Sequence, residues 1–313
     1  MIFLNWMTVF FAALMGLLIG SFLNVVIYRL PQMMYRSWLH DAGASLSGVS
    51  GEKSLWCLVF GYQRLEPERM TDAGNEIVQA VNELPRLDLM LPASRCQGCG
   101  HQIQWYENIP VISWLFLRGK CSGCGEAIAW RYPAIELLTG FLFAWCGWRW
   151  GLTWNGAAWS FFCAMLLVLA MIDWDTTLLP DVLTLPLVWC GLLASLLNLT
   201  QISLEDSVIG AAAGYLSLWC IYWLFKQATG KEGMGFGDFK LSAALGAWFG
   251  WTALVPIILI ASCVGAVVGL VLKFSGRLHD GQYVPFGPFL VFGGFVLIVF
   301  GADHVMQFIG WSR

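Results

Sequence analysis

The chain has 313 residues, of which 58% are hydrophobic and only 12% charged. Its apolar residues fall in repeated runs of roughly 18 to 25, the length that spans a bilayer, which excludes an ordinary soluble domain. The formal net charge of −3 leaves no electrostatic case for nucleic acid or another polyanion as partner.

In chain order, the first apolar run is Trp6 to Tyr28. No basic residue precedes it and no small-residue cleavage site follows it, so it reads as a retained span and not as a signal peptide. About 100 mixed residues follow, from Leu30 to Arg131, and then a nearly continuous apolar series. The expected spans are roughly 5–28, 133–150, 155–173, 181–199, 207–226, 239–250, 252–272 and 286–309. This predicts an all-α polytopic membrane protein with about eight transmembrane helices and a small cytoplasmic zinc-binding hairpin. Its regions are a first helix (1–30), a cytoplasmic region (31–131, with the hairpin at about 92–131) and a membrane domain (132–313). Residues 32–91 carry no clear period.

Basic residues collect on the cytoplasmic side of short loops. Ten of the 17 lie between Arg29 and Arg131, and Lys226, Lys231, Lys273 and Arg277 fall in two later loops on the same side. Both termini are therefore predicted outside the cytoplasm. Lys240 and Lys273 then share a side with 32 residues between them. Each arm of that hairpin spans about 24 Å at 1.5 Å per residue, short of the bilayer core, so a thinned membrane or a re-entrant hairpin is expected. Small-xxx-small pairs at Gly16/Gly20, Gly210/Gly214, Gly246/Gly250 and Gly265/Gly269 allow close helix packing, although 34 glycines also produce such pairs by chance.

Cys96-Gln-Gly-Cys99 and Cys121-Ser-Gly-Cys124 form two C-x-x-C pairs, each followed by Gly, at 100 and 125. Two thiolates at this spacing grip one face of a tetrahedral ion, and a second knuckle completes a four-cysteine site. The 21-residue separation slightly exceeds the usual range. Four ligands close the coordination sphere, so a bound zinc would be structural. The remaining cysteines, 57, 146, 163, 190, 220 and 263, read mainly as small hydrophobes.

Ionisable residues at the membrane edge carry a functional hypothesis because they are costly there. Asp173, Asp175 and Asp181 surround the turn after the third span, and Asp238 follows Gly233-Met-Gly-Phe-Gly237. Two spans separate Asp173 from Asp238, so both lie at the cytoplasmic face and can meet as a proton-sharing pair that activates water. The competing readings are helix N-caps at Asp181 and Asp238 and solvated loop charges at Asp173 and Asp175. The cap is preferred for Asp181. For Asp238 the glycine run favours a reactive role, because such a loop lets backbone pass close to a substrate. A phosphate cradle is excluded, since no strand precedes the run and no Gly-Lys-Ser/Thr ends it.

Four stretches carry a resemblance to the type IV prepilin leader peptidases, including those of type II secretion. GSFLNVVIYRLP at 20–31 is similar to the family's first-span signature, and 94–140 to its tetracysteine domain. IDWDTTLLPD at 172–181 and GMGFGDFKL at 233–241 resemble its catalytic stretches. The resemblance implies an inner-membrane aspartyl endopeptidase that cuts prepilins or pseudopilins after Gly at the cytoplasmic face. It further implies N-methylation of the new terminus from S-adenosylmethionine. Asp173 and Asp238 take the catalytic positions, with Asp175 a substitute for Asp173, and Cys96, Cys99, Cys121 and Cys124 the zinc ligands. The methyl-donor site and oligomeric state are not assigned.

The residues alone also admit a transporter, whose carboxylates would lie near mid-membrane. A noncatalytic scaffold docking through the zinc hairpin is a third reading.

Overall fold

The computed structural model describes residues 2–47, 68–276, 284–308 and 310. Among these the regular structure is helical, with only two isolated antiparallel bridges, Arg95 to Gln102 and Lys120 to Ala127. The expectations at Cys57 and Arg277, and residues 48–67 of the 32–91 segment, lie outside the described residues.

The helices are α1 (Ile2–Leu46), α2 (Glu68–Glu83), α3 (Ile112–Phe116), α4 (Arg131–Trp150), α5 (Trp154–Thr176) and α6 (Asp181–Leu196). Then come α7 (Leu204–Thr229), α8 (Phe236–Phe249), α9 (Leu254–Phe274), α10 (Gly287–Phe300) and α11 (Ala302–Phe308). Each expected span overlaps a helix, but two differ in extent. The first helix does not stop near Tyr28; it runs through Pro31 to Leu46 as 45 residues, about 68 Å. The last span is broken: α10 ends at Gly301, whose φ of 83° suits a residue without Cβ, and α11 departs at 104°.

Among the described residues, four segments are long and apolar enough to cross a membrane: Trp6–Leu46, Trp154–Thr176, Leu204–Thr229 and Trp251–Phe274. The bent pair α10 and α11 makes a fifth if the two are one span. The protein is an integral membrane protein by these helices.

The chain divides into two compact units. The first comprises residues 1–24 and 105–313. Its centre is α8, in which every residue from Leu241 to Phe249 is buried, and which packs mainly against α7 and α6. Trp248 anchors it, stacked on Phe162 at 4.4 Å and donating its indole N–H to the Leu187 carbonyl at 2.9 Å. The arm expected to need a thinned membrane or a re-entrant hairpin is α8, whose 14 residues, about 21 Å, are enclosed by protein from Leu241 onward.

Glycine pairs explain some of the close approaches. A Cβ at Gly210 would strike the Gly246 carbonyl, and one at Gly214 the Ser242 carbonyl, so α7 and α8 touch backbone to backbone. Gly16 and Gly20 do the same for α1 on α4, where added Cβ atoms would lie 2.7 Å from the Thr139 oxygen and 2.8 Å from the Glu136 Cα. Gly265 instead faces the Phe289 ring, and nothing lies near Gly269, so that pair brings no backbones together.

The second unit comprises residues 25–104. Gly43 of α1 and Gly74 of α2 meet closely, a Cβ at Gly74 falling 2.7 Å from the Gly43 oxygen. Arg29, buried, donates to the carbonyls of Asp88 at 2.9 Å and Pro92 at 2.6 Å. The Asp88 carboxylate accepts the N–H groups of Met90 and Leu91, which hold it below its ordinary range.

Candidate active site

Asp173 sits in the last turn of α5, which ends where Thr177 adopts a left-handed φ of 54° and donates its N–H to the Asp173 carbonyl. Asp238 is the third residue of α8, after the N-cap Gly235. Both are buried, at 4% and 5% exposure, and close enough to interact electrostatically. The structure therefore brings together the two aspartates singled out from the sequence.

Each carboxyl also meets a helix N-terminus. Asp238 reaches back to accept the Gly235 N–H, one half of a capping box. Asp173 accepts the N–H of Gly287, the first residue of α10. The free N–H groups and dipole of a helix start favour negative charge. One oxygen of each carboxyl, Asp173 Oδ2 and Asp238 Oδ1, is buried with no hydrogen-bond partner among the described residues. Such atoms are costly unless they have work to do.

The other two aspartates are committed elsewhere. Asp175 does not stand in a solvated loop: its two oxygens accept from the Arg131 guanidinium at 2.7 and 2.6 Å. Asp181 is not the N-cap of α6, a position held by Pro180; its carboxylate takes Lys240 Nζ at 2.6 and 2.8 Å. Each ion pair lies two residues beyond one of the buried aspartates and ties its helix end to a neighbour.

Two glycines of the run at 233–237 pack against other side chains, while Gly235 between them is exposed. A Cβ at Gly237 would come within 2.6 Å of Leu179 Cβ, and one at Gly233 within 2.8 Å of the Phe225 ring. Leu179 also faces Gly287, where an added Cβ would stand 3.3 Å from its Cδ1 and 2.5 Å from Asp173 Oδ2. Gly287 is a site residue that the sequence reading missed. Its signal is the Pro-Phe-Gly-Pro string opening the last span, with proline at the start of α10 where a missing N–H costs nothing.

The two C-x-x-C turns are built alike. Cys96 N–H donates to the His101 oxygen and Gly100 N–H to the Cys96 oxygen; Cys121 donates to Glu126 and Gly125 to Cys121. Gly100 and Gly125 have φ of 72° and 74°, the left-handed turn expected of them. The sulfur atoms of Cys96, Cys99, Cys121 and Cys124 all lie within 4.8 Å of one another. Tetrahedral zinc with bonds of about 2.3 Å separates its sulfurs by about 3.8 Å, so this cluster can hold a metal ion.

Residues 14–150 match the bacterial peptidase A24 N-terminal domain, and residues 160–270 the type IV leader peptidase family. A Pseudomonas aeruginosa protein named prepilin leader peptidase/N-methyltransferase is 44% identical over 303 residues, 96% of this chain and 93% of its own length. A protein of the same name from Stutzerimonas stutzeri is 45% identical over 302 residues, 96% of this chain and 94% of its own. One from Burkholderia pseudomallei strain 1026b is 44% identical over 298 residues, 95% of this chain and 86% of its own. No solved structure matches.

Proposed function

The chain belongs to the type IV leader peptidase family, and on that premise we propose that Asp173 and Asp238 together cut the leader from type IV prepilins or pseudopilins. Leader removal and N-methylation are the two activities in its relatives' names, and both are assigned to this chain. The observation that carries the catalytic assignment is the meeting of two buried aspartates, each with one unpartnered oxygen, at helix ends.

In the reaction, the ionised carboxylate takes a proton from water as the water oxygen attacks the scissile carbonyl carbon. The protonated carboxyl donates to the carbonyl oxygen. Collapse of the tetrahedral intermediate breaks the C–N bond and returns a proton to the leaving amine. The N–H groups of Gly235 and Gly287 orient the two carboxyls and support whichever carries the charge.

The wider arrangement has eight passes, with both termini periplasmic and the aspartates at the cytoplasmic face of the inner membrane. The first membrane pass occupies 1–30 of the longer α1, the cytoplasmic region 31–131 and the protease domain 132–313. Basic residues in 29–131 support this orientation. Zinc on Cys96, Cys99, Cys121 and Cys124 is structural and staples the hairpin. S-adenosylmethionine supplies the methyl group, by the methyltransferase name.

The test is leader removal from a coexpressed prepilin, read by mass, which reports any added methyl at the same time. Asp173→Asn and Asp238→Asn are each expected to abolish cleavage while protein level and metal content persist. Asp175→Asn and Asp181→Asn retain it in part. Wild-type activity falls on both sides of a pH optimum, because each limb removes one of the two required protonation states. Full cleavage by well-folded Asp238→Asn would refute the mechanism. Full cleavage by Asp173→Asn with Asp175→Asn dead would move the first role by two residues.

A further inference from the structure

The segment from Trp105 to Phe116 presents an apolar face that no described residue covers. Phe116 is 84% exposed, Trp105 80% and Leu115 62%, and Ile112 is exposed as well. Ile112, Leu115 and Phe116 stand at i, i+3 and i+4 on one side of α3. The opposite side holds the fold: Trp114 lies over Gly119, where an added Cβ would be 2.9 Å from its ring, and donates Nε1–H to the Ile128 carbonyl.

This orientation is fixed at a cost. Val111 has φ of 59° and ψ of −46°, the centre of a γ-turn closed by the Ile112 N–H on the Pro110 carbonyl, a conformation that a β-branched residue rarely adopts and that costs on the order of 1–3 kcal/mol. Its N–H is held at 2.8 Å by Oε2 of Glu136, a buried carboxyl of α4 that also takes a hydrogen bond from Ser21 of α1. Glu136 has no role in the cleavage assigned above to Asp173 and Asp238. It pins the residue that aims α3.

We propose that residues 105–116 form an interfacial anchor whose apolar face lies in the headgroup–acyl boundary of the bilayer, with Glu136 as its pin. The occupant follows from continuity. Val111 precedes Ile112 and Glu136 precedes Leu137, so the pin ties the start of α3 to the part of α4 that carries the exposed Leu137, Leu138 and Phe141. Those residues face lipid if α4 crosses the membrane, the reading on which this inference rests. Exposed Trp105, Tyr106 and Trp130 are the residue types that settle at such boundaries. Arg118 and Lys120, exposed directly after the face, supply the positive charge that anionic headgroups attract.

The test places the photoreactive residue p-benzoylphenylalanine at Phe116 or Phe141 of the full chain, in vesicles of phosphatidylethanolamine and phosphatidylglycerol with a prepilin present. Mass analysis after irradiation identifies the adducts, and phospholipid adducts are expected at both positions. Absence of lipid adducts at Phe141 would defeat the α4 reading. Lipid at Phe141, with Phe116 joined only to prepilin, to a second copy or to nothing, would overturn the anchor alone. Glu136→Ala is expected to lower the Phe116 lipid adduct about fivefold, the worth of one lost hydrogen bond. Glu136→Gln, which keeps an acceptor oxygen, preserves it, and Phe141 labelling is unchanged in both. Undiminished Phe116 labelling in Glu136→Ala would overturn the role of Glu136 as pin.

Discussion

Four aspartates of similar appearance in the sequence have different surroundings in the fold. Asp175 and Asp181 are neutralised by Arg131 and Lys240, whereas Asp173 and Asp238 keep one unpartnered oxygen each. A carboxylate whose oxygens are taken by a cation is suited to clamping one helix end to its neighbour. Gly287 tests how closely the pair must be held. Alanine there fits the backbone but puts a methyl 2.5 Å from Asp173 Oδ2, and the carboxyl, as the free end of a side chain, can turn away without unfolding α10. Gly287→Ala is therefore expected to lower the cleavage rate about 100-fold, the scale of a 1 Å misplacement. Protein level and thermal stability stay near wild type, and a coexpression time course with a melting curve checks both.

At the scale of elements, α8 shows how a short helix can hold a buried aspartate in place. Its run of Ser242, Ala243, Ala244, Gly246 and Ala247 keeps two sides thin, so α7 approaches through Gly210 and Gly214. The thick end is Trp248, wedged between Phe162 and Gly191, where an added Cβ would lie 2.7 Å from its ring. Trp248→Ala leaves a cavity and a Leu187 carbonyl without this donor, at a cost of about 3–5 kcal/mol. The expected result is a clear fall in melting temperature in detergent, with Asp238 displaced and cleavage lost in parallel. Trp248→Phe, which keeps the stacking but not the N–H, falls between. A Trp248→Ala protein that melts like wild type would show that α8 is not held from this end.

For the whole molecule, two measurements examine the assembly of metal and membrane. Elemental analysis is expected to find one zinc per chain, and Cys99→Ser with Cys124→Ser to lose it and expose the hairpin to protease. On the proposal that the metal is structural, activity should decline through instability and be rescued in part by low temperature. Unchanged zinc content in that variant would dismiss the site. Labelling of single cysteines introduced at Leu152 and Gln79 should place them on opposite faces of the membrane. Labelling from the same face would remove the proposed orientation, although the proximity of Asp173 and Asp238 would remain.

The sequence by itself determined what depends on local pattern. Apolar length specified helices, C-x-x-C followed by Gly specified two matching turns around a possible metal, and the spacing of spans implied that Asp173 and Asp238 could meet. These are legible because each is written in neighbouring residues. The tertiary structure alone decided what depends on partners far along the chain. It assigned Arg131 to Asp175 and Lys240 to Asp181, brought Gly287 to Asp173 across 114 residues, and enclosed α8 from Leu241 onward. It also set the strained Val111 on the Glu136 carboxyl. Side-chain chemistry states which partners a group can accept, but only the folded path of the backbone brings one of them within hydrogen-bonding distance.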